Sequence, residues 1–88
     1  MDKYKPLHDF LTRQQGNEIK LSFEDIEAED IIGVKLPRSA REHREWWANE
    51  TNPNTRHRHC LAWIRAGWKV KSVDLAREFV IFERGQKK

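Results

Sequence analysis

The chain has 88 residues, 38% of them hydrophobic and 35% charged, with a formal net charge of +3. A chain of that size builds one small core, burying roughly 60–65% of the surface its unfolded form exposes, so a second independent domain is excluded. The longest apolar run, 60–64, falls far short of the ~20 residues that cross a bilayer, the start 1–6 has no apolar leader stretch, and Cys60 is the single cysteine; a soluble cytoplasmic protein of one domain, 1–88, without a disulfide is expected.

Pro6 in a first turn, Leu7, Phe10 and Leu11 at i, i+3 and i+4, and Gly16 as a stop predict an amphipathic helix over about 6–15. The alternation Ile19, Leu21, Phe23 then reads as a short strand with one buried face. Ser22-Phe23-Glu24-Asp25 has the form of a capping box and predicts a helix running to Gly33, with Ile26, Ile31 and Ile32 inward and the acids in water. Gly33 to Pro37 is a turn. Ser39-Ala40-Arg41-Glu42 is a second candidate capping box and opens a third helix, 39–48, with Ala40, His43 and Trp47 inward and Arg41 and Arg44 outward.

Residues 49–55 are polar with a proline, which marks a loop, and a fourth helix is expected over 56–66 with Leu61, Ile64 and Trp68 on one side and Gly67 at its stop. The period then changes. Val70, Val73 and the run 79–82 are β-branched and aromatic, and the connection 74–78 predicts a hairpin. The ordered core is thus about 4–84, with 85–88 a frayed tail. Helix, strand, helix-turn-helix, extra helix and C-terminal hairpin make a small α+β domain, winged-helix-like in its order of elements.

Charge is unevenly distributed. Residues 1–34 carry four cations against eight acids, whereas residues 35–71 carry nine cations against three. Guanidinium groups pair with phosphate oxygens in bidentate fashion and release condensed counterions, so the middle segment reads as a phosphate-facing surface. The cations concerned are Lys35, Arg38, Arg41, Arg44, Arg56, Arg58, Arg65, Lys69 and Lys71.

The pieces Leu36-Pro37-Arg38-Ser39-Ala40 and Trp46-Trp47-Ala48-Asn49, followed by Ala62-Trp63 and Ala66-Gly67-Trp68, resemble an uncharacterised family of small prokaryotic domains over 4–84. The resemblance implies a shared fold and brings no catalytic residues.

Of the four tryptophans, Trp47, Trp63 and Trp68 fall on inward stripes, and Trp46 is the candidate for stacking on a base. His57, His59 and Cys60, with His43 elsewhere, lack the spacing of a zinc site and sit beside arginines that repel a dication, so no metal or cofactor is expected. No nucleophile–base pair or carboxylate dyad is visible, and no enzyme activity is expected. The expected function is binding of nucleic acid, duplex DNA in preference, through helix 39–48 and its flanking cations. The alternative is a protein-interaction module, such as a phage-borne regulator or inhibitor, that docks an acidic partner without binding nucleic acid. Binding to a membrane is not expected.

Overall fold

The computed structural model describes residues 4–49 and 58–85, Arg58 by its backbone alone. The expectations for Arg56, for His57, for most of the loop 49–55 and for the end of the tail fall outside the described residues.

Pro6 sits in the first turn of α1 (Lys5–Thr12), where its missing N–H costs no hydrogen bond. Leu7 and Leu11, one turn apart, are buried, and Phe10 packs at the rim of the core. β1 (Glu18–Ser22) follows. At its end the expected capping box closes α2 (Phe23–Glu27): the Asp25 N–H donates to Ser22 Oγ at 2.9 Å, and the Ser22 N–H donates to the Asp25 carboxylate at 3.1 Å. α2 ends five residues before the expected stop. Ile31 and Ile32 are buried beyond its end, and Glu29 and Asp30 would crowd the C-terminus of a longer helix and oppose its dipole. The chain instead turns through 28–32 and reaches Gly33, whose φ of +70° favours glycine.

α3 (Arg38–Glu42) is likewise five residues long rather than ten. It starts after Pro37 with no side-chain cap, so the second capping box, from Ser39, does not form. His43 is extended and a 3-10 turn occupies 44–47. Trp46 and Trp47 are both buried, at 8% and 2% exposure, and the break at His43 resets the phase so that both turn inward. His43, expected on the inner stripe, is exposed as a result.

The expected fourth helix is a 3-10 turn over 58–60 leading into α4 (Leu61–Ile64), which ends at Gly67 with φ +88°. β2 (Trp68–Asp74) and β3 (Phe79–Arg84) form the C-terminal hairpin, with a bulge between Val70 and Ser72. Its turn is held by the Arg77 N–H on Asp74 Oδ1, at 2.9 Å, and closes through Glu78, a non-glycine residue at φ 59°. The sheet is antiparallel with β3 in the centre, in the order β1-β3-β2. Among the described residues four α-helices and this sheet make a single α+β domain, the expected class.

Leu21, Trp68, Val73, Val80 and Phe82 line the covered face of the sheet. Phe23, Trp47, Trp63 and Phe82 continue the core as successive ring contacts of 5.2, 5.7 and 5.6 Å. Three indole N–H groups are tied down: Trp47 donates to the Ala40 carbonyl, Trp68 to that of Leu11 and Trp63 to Asn49 Oδ1, at 2.8, 2.9 and 3.0 Å. A buried ring of this size stabilises such a domain by about 3–5 kcal/mol against truncation to alanine. No described helix is long and apolar enough to cross a membrane.

Candidate nucleic-acid interface

The cations singled out in the sequence do not form one open patch. Arg41 lies on α3 facing α2 and the hairpin turn. Its Nη1 donates to Glu27 Oε2, its Nη2 to Glu27 Oε1 at 3.3 Å, and its Nε to Glu78 at 3.3 Å. The Leu36 N–H donates to the same Glu27 carboxylate at 2.7 Å. Arg41 holds the Glu27 carboxyl below the ordinary carboxylate range, against the opposing effect of burial, and Glu27 in turn raises Arg41. This guanidinium clamps three segments and is not available to a phosphate.

Arg38 is exposed and pairs with Glu42 one turn on, at 3.4 Å. Lys69 lies 3.6 Å from Glu83 on the neighbouring strand. Lys71 reaches across the open face of the sheet to Glu18, at 2.9 Å, which raises its amine. Lys35 is exposed in the turn before α3. The side chains of Arg56 and Arg58 lie outside the described residues.

Arg44 serves the fold in another way. Its Nη1 donates to the Val73 carbonyl at 2.6 Å, on the outer side of β2. Asn49 does the same further along. Its Nδ2 donates to the Val70 carbonyl at 2.9 Å, while its Oδ1 accepts from the Val70 N–H at 2.8 Å. A carboxamide carries one donor and one acceptor side by side, like a peptide group, and so completes the unpaired edge of a strand. Asn49 stands just past the expected third helix, at the start of the expected loop. The Trp-Trp-x-Asn signature instead joins two core rings to the residue that ties them to the hairpin.

Trp46, expected as an exposed stacking platform, is buried and already stacked: His59 lies parallel to it at 3.8 Å and donates from Nε2 to its carbonyl at 2.6 Å, and the Tyr4 ring meets it edge-on at 5.8 Å. The same break at His43 that buries Trp47 turns Trp46 away from water.

Three of the predicted cations have no carboxylate in ion-pair range among the described residues: Lys35, Arg44, whose guanidinium is held by the Val73 carbonyl, and Arg65. Arg65, at the end of α4, lines a shallow groove of about 150 Å³ with Leu61 and Ala62 of α4 and Lys5 and His8 of α1. Lys5 and His8 escaped the sequence reading, because only the packing of α1 on α4 brings them beside a residue so distant in the chain. Asp9 flanks the groove and orients both: Lys5 Nζ lies 3.1 Å from its carboxylate, and His8 Nδ1–H donates to it at 3.0 Å. These bonds, that from His8 first, hold the Asp9 carboxyl below its ordinary range. The groove thus brings the basic side chains Lys5, His8 and Arg65 beside the apolar Leu61 and Ala62. Among the described residues no cluster of His, Cys, Asp or Glu is placed to hold a metal ion.

A family model described as a domain of unknown function (DUF7662) matches residues 4–85, and the chain belongs to that family. No curated protein and no solved structure matches the chain significantly.

Proposed function

We propose that this member of the family is a non-catalytic, cytoplasmic nucleic-acid-binding domain that meets the phosphate backbone, duplex DNA in preference, with its α1–α4 side. The observation that carries this reading is Arg65. It is free of carboxylates and stands with Lys5 and His8 at a concave surface, whereas Arg38 and Arg41 on α3 are engaged by acids and Arg44 by a backbone carbonyl. Lys35 and Arg44, neither paired with an acid, add outlying phosphate contacts. The winged-helix order of elements supports the reading, with the difference that the contact helix is α4 and not the shortened α3.

Fluorescence anisotropy with duplex DNA, single-stranded DNA and RNA at two salt concentrations tests it. Affinity falls steeply with salt, and Lys5→Ala with Arg65→Ala weakens binding without changing the circular dichroism spectrum. Binding that survives this pair of substitutions unchanged would return the contact to other residues.

The interleaving of cations with acids on α3 and on the open sheet face favours a second reading, a protein-interaction module. Glu24, Glu29 and Asp30 beside the exposed Val34 supply it with an acidic face. Absence of binding to all three polynucleotides selects that reading.

A further inference from the structure

We propose that the groove between α1 and α4 takes a phosphomonoester, the phosphorylated end of a strand, in preference to a phosphodiester within one; the inference rests on the nucleic-acid reading above. Three features of the groove point to it.

The first is size. A volume of about 150 Å³ holds several waters or one tetrahedral anion, and is well short of the roughly 300–1,000 Å³ of sites that enclose a drug-sized molecule. The phosphate enters and the sugar and base stay outside. A terminal phosphate has a single connection to the rest of its strand. An internal one has two, and must seat nucleosides against α1 and α4 on both sides.

The second is charge. Lys5 and Arg65 bring two cationic side chains to the groove, with the His8 ring beside them. Asp9, the carboxylate at this side, is bonded to Lys5 and His8 and does not reach Arg65. A phosphomonoester carries about −1.5 to −2 near neutral pH and is drawn to a net positive site more strongly than the single charge of a diester.

The third is the division of labour on His8. Because Nδ1–H is committed to Asp9, Nε2 is the ring nitrogen left for a ligand. The floor formed by Leu61 and Ala62 side chains offers no competing donor, so the polar contacts come from Lys5, His8 and Arg65 at the rim.

The experiment compares one oligonucleotide sequence with a 5′-phosphate, a 3′-phosphate and hydroxyl ends by anisotropy. In parallel, inorganic phosphate and a mononucleotide are titrated into ¹⁵N-labelled protein. A phosphorylated end is expected to bind about tenfold more tightly than the hydroxyl form, as one charge-assisted contact set allows. Inorganic phosphate should shift the amide resonances of Lys5, His8, Leu61 and Arg65 to saturation. Arg65→Gln and Lys5→Gln, both on exposed side chains, should abolish the preference while the remaining spectrum stays in place.

Equal affinity for phosphorylated and hydroxyl ends overturns the inference and leaves the polynucleotide reading intact. A preference that persists in Arg65→Gln also overturns it. Saturable shifts with phosphate and the mononucleotide, but no binding of any strand, uphold the phosphomonoester site and sink the polynucleotide reading. Silence towards phosphate and every strand sinks both.

Discussion

The corner at α3 and the groove at α1–α4 are built from the same side-chain types and put them to opposite uses. At α3 and the turn after it, three arginines each meet a partner: Arg41 two glutamates, Arg38 the exposed Glu42 and Arg44 a strand carbonyl. At the groove, Arg65 meets two more basic groups and no acid of its own. A count of charges along the chain cannot separate these cases. What separates them is whether the fold delivers a carboxylate, and at α3 both acids that meet Arg41 come from distant segments.

Substitutions that make the two regions behave alike would break this contrast. The largest effect is expected at Arg41. Arg41→Ala strands Glu27, whose side chain is 12% exposed, and should cost about 2–3 kcal/mol in urea unfolding, at the low end for a buried pair because the arginine keeps some contact with water. The same clamp sets an acid dependence. The folded-state pKa of Glu27 is depressed, so its contribution to stability is complete above the unfolded-state pKa and is lost as pH falls through the folded value. Arg41→Ala should therefore flatten the acid limb of the stability curve; an unchanged limb would place the sensitivity elsewhere.

Lys5→Ala with Arg65→Ala should lower polynucleotide affinity by about tenfold or more at low salt and leave the urea midpoint nearly unmoved, the reverse of the Arg41 result. Asp9→Asn removes the acid beside the groove and is expected to tighten polynucleotide binding a few-fold in the same anisotropy assay. Weaker binding instead would assign Asp9 an orienting role that outweighs its charge. The smallest effect is at Arg38. Its pair with Glu42 is exposed on both sides, and Arg38→Ala should change stability by less than about 0.5 kcal/mol and binding not at all.

Where the sequence signal was local, it sufficed. Pro6 with Leu7 and Leu11 located α1, Ser22 and Asp25 located the start of α2, and the β-branched run 79–82 located the central strand. The lengths of α2, α3 and α4 were not legible, because the breaks that end them are set by how the core packs and not by the local helical period. The tertiary core overrides the local preference by breaking the helix. Of the candidate site, Arg65 was readable as an outward arginine on the fourth helix. Lys5 and His8 were not, since their membership follows from helix packing and not from spacing. Trp46 failed for the same reason as α3: its environment was set by the break at His43.

The carboxamide of Asn49 has one further effect. By occupying the N–H and carbonyl of Val70, with Arg44 on the carbonyl of Val73, it leaves β2 little main chain with which to recruit a foreign strand. The other margin of the sheet among the described residues is β1, whose Lys20 ammonium lies over the Phe79 ring of the central strand. On the β2 margin a side-chain amide thereby stands where a neighbouring chain would pair.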